Sequence, residues 1–551
     1  MKATALKRVL ISVLSIVLCA AFVTGCSKGT PDEYYWHSYY DTMEIPIETE
    51  SSETTDTDTD TDTDNYSDSN PGENNSTDNT PTSPQEPANT NVGLSNATVD
   101  KNDKPIVKNT AKLMQPITAI SDGVADGLRN KILSTKDNIK VTGKTYYISY
   151  RGNDNNDGLS PENPWQSLTK LSYSNAQLRS GDAVLFERGG VYRGTVTCVN
   201  GVTYGTYGSG DKPCIYQSKE NAAKKSWINE GGNIWKAPSA YQDVGIVVFN
   251  HGELAGERFF TKSKLAKNGD FYDEAGTLYL YMDKNPAEKY NSIEIGTDKH
   301  IFSIPQDGHD ITIDNITMKY GGAMGVQGST GSKNITVTNC EIGWLGGSTL
   351  QGEGESSVRY GNGVEFWCNC TNVKVDNCWV YQIYDSGLSH QGRGEFVAKD
   401  VTFSNNLIEY TSFASIEYWA NAQNQNKMIN ILYDGNICRF AGYGWGDIGR
   451  PAHQSCHILA TGQMDQYCEN FVIKNNILDT AGKYLLSAIH LSGRMPTILN
   501  NTYIQSNGDV YLGRFGDSVE EDSVLYKLDD TAETILKTVF GDPNPTINGI
   551  K

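Results

Sequence analysis

Six short phrases in the second half of the chain, GVQG, GVEFW, GLSHQG, SIEYW, CHIL and AIHL, alternate apolar residues with residues capable of chemistry. Aligned on the apolar positions, they place Gln327, Glu365, Ser389, Glu417, His457 and His490 in one outward column. Two places further along stand Trp367, Gln391, Trp419, Leu459 and Ser492. Carboxylates and imidazoles of this kind move protons, and tryptophan rings beside them offer flat faces to sugar rings. Asp385, in YDSG, and Asp447, in WGDIG, fall beside the same corner. Arg393, Arg450 and Arg494 follow these strands closely, with forked donors that match a uronate or a sulfate. The candidate catalytic residues are therefore Glu417, Glu365, Asp385, Asp447, His457 and His490. Trp367, Trp419, Gln391, Arg393, Arg450 and Arg494 are the candidate substrate contacts. The competing reading of any single member is a solvated sheet face.

Such a column requires a scaffold that repeats. From Asp310 to Tyr503 one phrase recurs: ITIDNITM, ITVTNCEI, VKVDNCWV, VTFSNNLI, ILYDGNIC, FVIKNNIL and TILNNTYI. It aligns Asn315, Asn339, Asn377, Asn405, Gly435, Asn475 and Asn500, at spacings of 24, 38, 28, 30, 40 and 25 residues. Strand units at this period stack as a solenoid, because no single turn can bury its own apolar face. Period-two alternation makes the units strands, and the variable spacing assigns the surplus residues to loops at particular corners. Like positions on neighbouring turns are then about 4.8 Å apart, close enough for asparagine side chains to hydrogen-bond along the stack. The adjacent column, Ile316, Cys340, Cys378, Asn406, Asn436, Asn476 and Asn501, turns from apolar to polar and predicts a second ladder over the later turns. The same spacing puts Glu365 and Glu417 about 9.6 Å apart, at the far end of the roughly 6.5–9.5 Å used by inverting glycosidases. It also puts Glu417 and His457 on adjacent turns.

TYYISYRGNDNNDGLSPENPWQSL, LRSGDAVLFERGGVYRGTV and VTYGTYGSGDKPCIY precede the repeats. With Tyr147, Gly152, Asp154, Gly158, Trp165, Gly181, Asp182 and Gly189, this stretch resembles the first turns of bacterial right-handed parallel β-helix proteins of the pectate-lyase-like superfamily. Together with the repeats, the resemblance runs from about Thr145 to Tyr503. It implies an all-β, right-handed parallel β-helix and a carbohydrate-active role. It leaves glycoside hydrolase, polysaccharide lyase, epimerase and noncatalytic surface protein open, since sites and not folds fix function. The polygalacturonase pattern of paired aspartates with a GHG step is missing, and Arg494 with Pro496 matches only half of the pectate-lyase RxPxxR pattern. A hydrolase with paired carboxylates is accordingly expected first, a lyase on a uronate-containing glycan second, and a noncatalytic glycan-binding solenoid third.

Lys2, Lys7 and Arg8 precede an apolar run from Val9 to Val23 that ends in VTGC, the pattern of a secretory signal with a lipobox. It resembles bacterial lipoproteins and implies lipid attachment at Cys26 and a place on the outer face of a membrane. Residues 31 to 110 hold 18 Asp or Glu against 3 Lys, which accounts for 15 of the 20 net negative charges. The acidity therefore belongs to a solvated tether, and low pI says little about the substrate. No basic stripe points to nucleic acid. The nine cysteines beyond Cys19 and Cys26 are expected as buried thiols.

The expected order is signal peptide 1–25, tether 26–110, amphipathic capping-helix region 111–144, first solenoid turns 145–220, inserted antiparallel module 221–300, repeats 301–510 and terminal cap 511–551. Ile120, Val124, Leu128 and Ile132 form the helix stripe. The expected partners are a polysaccharide or glycan and, through the anchor, a membrane; a monomer is expected. No cofactor or metal site is predicted, with calcium left open.

Overall fold

The structure, a computed structural model, describes residues 117–137, 139–421, 426–448, 455–462, 466–489, 491–505, 511–516 and 525–549. The signal, Cys26 and the tether lie outside the described residues, as do Arg450, His490 and the side chain of Asp447.

Each turn of the solenoid contributes a strand to each of three long sheets. The turn carrying VKVDNCWV shows the plan, with Thr371–Asp376 in the first sheet, Trp379–Ile383 in the second and Leu388–Arg393 in the third. Neighbouring turns pair in parallel, giving the predicted right-handed parallel β-helix; only the last pair in the third sheet, Tyr511–Gly516 with Tyr526–Lys527, is antiparallel. Period-two alternation works as expected. Ile313, Val337, Val375, Phe403, Tyr433, Ile473 and Ile498 are in register on successive turns and fully or almost fully buried. Each such side chain contributes about 1.5–3 kcal/mol on leaving water, and the stack is one continuous core.

The first asparagine column makes the corner between the first and second sheets. Asn315, Asn339, Asn377, Asn405, Gly435, Asn475 and Asn500 all have φ between +54° and +68°. That left-handed conformation is most accessible to glycine and, among residues with a side chain, to asparagine and aspartate, which explains why glycine substitutes at 435. Their side chains reach back one turn, Asn377 to Asn339 at 2.7 Å and Asn339, Asn405 and Asn475 to Asp314, Asp376 and Asp434. The continuous amide ladder is the second column: Asn406 donates to Asn436, Asn436 to Asn476 and Asn476 to Asn501, each at 3.0 Å and all buried. Asp542 closes it, accepting from the backbone of Asn500 and Asn501. Cys340 and Cys378 occupy the apolar end of the column as thiols, and all nine described cysteines are free and buried.

The helix Asp122–Leu133 is present, but it runs along the side of the solenoid and leaves the end to others. Ser121 Oγ meets Asp479 at 2.6 Å, Asp122 meets Arg439, and Arg129 grips Glu409 with two bonds of 2.8 and 2.9 Å. These partners sit on successive strands of the second sheet. Because Arg129 must face them, Ala125 and Ile132 turn inward, while Ile120 and Val124 of the predicted stripe are 56% and 52% exposed. The core is closed instead by the short helix Leu168–Ser174, through Leu168 and Leu171, and by Ala532–Thr538, through Leu536 with neighbouring Phe540.

The inserted module is antiparallel as expected. Phe271–Glu274 and Thr277–Tyr281 form a hairpin around Ala275 and Gly276, extended by Ile234–Lys236 and Ile228–Gly231. A second small sheet joins Val244–Phe249 to Ile293–Thr297 and Leu254–Ala255. Trp227, Phe249, Phe271, Leu278 and Leu280 make its own core, and Ile246 and Val248 pack on the aromatic outer face of the solenoid's second sheet.

Candidate functional site

A second corner, between the second and third sheets, gathers the chemistry. Near the ends of six consecutive second-sheet strands one residue takes positive φ: Tyr320, Trp344, Gln382, Tyr410, Phe440 and Thr480 lie between +52° and +59°. Tyr320, Trp344, Gln382 and Tyr410 fall opposite one another with no change of register, so the left-handed kink is shared by neighbouring strands, which bend together. Downstream of Gln382 come Asp385, Ser386 and Gly387. A Cβ on Gly387 would lie 2.5 Å from Ile408 and 2.7 Å from the Ser415 carbonyl, so only glycine lets this corner close on the next turn.

On the third sheet the register sets Gln327, Glu365, Ser389, Glu417, Leu459, Ser487 and Arg514 in one outward column. Trp367, Gln391, Trp419 and Thr461 form the next. The predicted positions of Gln327, Glu365, Ser389, Glu417, Trp367, Gln391 and Trp419 are reproduced.

Three positions differ. His457 is opposite Ser415, with Nδ1 3.1 Å from its hydroxyl, and Leu459 takes the place beside Glu417. CHIL has the right phase but enters the sheet two residues late, and burial pushes the imidazole down to about 4. Ser487 continues the column after Leu459, a place that YLLSAI, apolar at nearly every position, does not reveal by phase; His490 lies outside the described residues. Ser492 belongs to the first sheet. Arg494 follows that same strand and is exposed, so it does not border this corner.

The carboxylates are joined by a hydrogen-bonded path. Asn362 Nδ2 donates to Glu365 Oε2 at 2.5 Å and to Ser389 Oγ at 3.1 Å, while its Oδ1 accepts from the Ser386 backbone. Ser386 Oγ donates to Glu417 Oε2 at 2.5 Å, and Gln391 Nε2 donates to the same oxygen at 3.1 Å. Glu365, Asp385 and Glu417 come from three consecutive turns and are 7%, 1% and 1% exposed. Burial pushes the Glu365 carboxyl up to about 8; the charge of Asp385 adds to this, and the bonds from Asn362 and Ser389 oppose it.

Gln391 thus holds a carboxylate instead of facing an open groove. Trp419 is buried, and Trp367 is the ring of the pair that keeps a part-exposed face. Arg393 is half-buried at its strand end, where its backbone N–H points to Cys368 Sγ. Asn362 and Ser386 were not singled out by sequence. Their signal is the polar residue next to glycine in GNG and DSG, immediately before a third-sheet strand. Among the described residues no three His, Cys, Asp or Glu side chains converge to hold a metal ion.

No protein-family profile and no curated protein sequence matches this chain. Solved structures do share its fold. XylC in complex with xylose is 13% identical over 70% of this chain and 73% of that one, with a TM-score of 0.38. The GH136 lacto-N-biosidase from Eubacterium ramulus is 14% identical over 70% and 66%, TM-score 0.34. Pectate lyase Pel9A is 11% identical over 73% and 86%, TM-score 0.35. At this level the likeness is one of fold alone.

Proposed function

We propose that the chain is a glycoside hydrolase acting on a polysaccharide, with its carboxylates at the second corner. The observation that carries this reading is the hydrogen-bonded path from Glu365 through Asn362 and Ser386 to Glu417, with Asp385 on the turn between the two glutamates. The Glu365 carboxyl is shifted in the direction that a catalytic acid needs. Glu365, desolvated and beside Asp385, keeps its proton near neutral pH and serves as the acid that protonates the leaving oxygen. Glu417, which receives Ser386 Oγ and Gln391 Nε2 on one oxygen, serves as the base that activates water. Two turns separate them, about 9.6 Å along the axis, so inversion at the anomeric carbon is expected. Asp385 sits between them, where its charge tunes the acid.

The test is to incubate the chain with neutral and acidic polysaccharides and follow reducing ends together with absorbance of unsaturated uronates. New reducing ends without the chromophore, abolished in Glu417→Gln, support hydrolysis; the chromophore would make the protein a lyase and overturn the assignment. One observation favours a second reading: Asp385 and Glu417 are almost wholly buried, as befits a network that holds turns together in a solenoid that binds glycan without cleaving it. Retention on immobilised glycans without any cleavage would select that reading.

We further propose lipid anchoring at Cys26, on the strength of the VTGC motif after the apolar run. Cys26→Ser should release the protein from the membrane fraction of an expressing bacterium; unchanged fractionation would remove the anchor.

A further inference from the structure

Further up the same corner, a cleft of about 440 Å³ separates the inserted module from the first solenoid turns. Thr195 and Asp298 line it from the corners that precede the third-sheet strands Val196–Thr197 and Phe302–Ile304, and Tyr241 and Gln242 from the module. Asp298 lies three turns from Asp385, about 14 Å by the strand spacing. A direct tie connects the two places: Tyr360 donates its hydroxyl to Asp298 Oδ1 at 2.6 Å, two residues before Asn362 of the carboxylate path.

We propose that this cleft binds an uncharged sugar unit of the polysaccharide, at a distance from the carboxylates that a short oligosaccharide spans. The volume is within the roughly 300–1,000 Å³ typical of small-ligand sites. Most of its formal charges are already engaged within the protein. Asp243 pairs with Arg258 at 2.9 Å and accepts the Thr349 backbone N–H, and Lys219 donates to the Ala240 carbonyl while lying 4.3 Å from the Tyr241 ring centre. Gln217 is satisfied by both the backbone and the hydroxyl of Thr297. The groups left for a ligand are neutral in sum: the Thr195 hydroxyl, the Gln242 amide, the Lys299 ammonium and the second oxygen of Asp298. Adjacent donor and acceptor groups of this kind suit the vicinal hydroxyls of a pyranose. A uronate or sulfate brought here would face the carboxylates of Asp243 and Asp298 together with the ammonium groups of Lys219 and Lys299, charges that cancel and give an anion no net attraction. Ile295 and Tyr241 add the apolar wall that a sugar ring needs.

The assignment deepens the polysaccharide reading but is scored apart from it, because binding is measured without turnover. The full chain carrying Glu417→Gln is titrated calorimetrically with xylohexaose, cellohexaose, mannohexaose and hexagalacturonate. At least one neutral oligomer should bind, and the added pair Gln242→Ala and Lys299→Ala, both at exposed positions, should weaken it about tenfold or more. Binding unchanged by that pair, tighter binding of hexagalacturonate, or no binding of any neutral oligomer would each overturn the proposal. Reducing-end assays on the wild-type chain judge the carboxylate corner separately, so the two readings fail independently.

Discussion

Burial holds the Glu365 carboxyl protonated to about pH 8, and this has two consequences with opposite uses. For catalysis, the acid is in its working form at neutrality, so kcat/KM should fall as pH rises through about 8. For stability, the folded state keeps a proton that the unfolded chain loses near 4.5. The contribution is therefore complete below about 4.5 and is lost as pH rises through the folded value. A shift of this size corresponds to a few kcal/mol. Glu365→Gln keeps the acceptor for Asn362 and removes the titration. Its melting temperature should exceed that of the parent at about pH 9 and match it more closely at about pH 5; equal melting temperatures at both would contradict the assigned protonation.

The helix Asp122–Leu133 is held by charge as much as by apolar contact. Glu409 is completely buried and receives Arg129, Arg439 and the Trp379 indole N–H. Removing one partner leaves a buried charge short of compensation, at a cost of about 3–5 kcal/mol. Arg129→Met should lower stability by that order, and the double variant Arg129→Met with Glu409→Gln should recover part of it; chemical denaturation of the three proteins decides. The amide ladder makes a parallel case. Asn436→Leu leaves the backbone N–H of Asn406 and the carbonyl of Phe403 without their partner in a buried column, at about 1–3 kcal/mol per orphaned group. Hydrogen exchange should then quicken first around Asn406 and Asn476.

At the scale of the molecule, stability rests on stacking without covalent ties. The nine described cysteines are thiols, so a reductant should leave the melting temperature unchanged; a fall would reveal a bridge. Acid should destabilise the fold as well. Burial pushes His300 and His457 down to about 4 and His390, bonded to Tyr433 inside the core, to about 3. Each stays neutral when folded while the unfolded chain takes a proton near 6.5. The stability they allow is complete above about 6.5 and is lost as pH falls towards those values. His390→Phe, which keeps the ring stacking with Phe403 and Tyr418, should reduce the acid sensitivity measured by thermal melts between neutrality and about pH 4.

Period-two alternation and the recurring asparagine determined the solenoid. Alternation is a local property of a strand, and the left-handed corner favours Asn and Gly, so both are written in residue types. The places of Glu365, Ser389 and Glu417 were legible for the same reason: their strands alternate cleanly around Val364, Phe366, Ile416 and Tyr418. His457 and Ser492 were misplaced, because register depends on where a strand begins beside its neighbour, and phase vanishes in a run as apolar as YLLSAI. The face presented by the N-terminal helix also escaped the sequence, since the charges that fix its rotation, Glu409 and Arg439, lie some 280 to 320 residues away. So did the positive-φ column from Tyr320 to Thr480, whose aromatic residues are not the types that favour that conformation. Only the tertiary structure brought Asn362 and Ser386 to the two glutamates, because contact between turns is decided by the corner's bend and the stacking distance, and neither is encoded in any one segment.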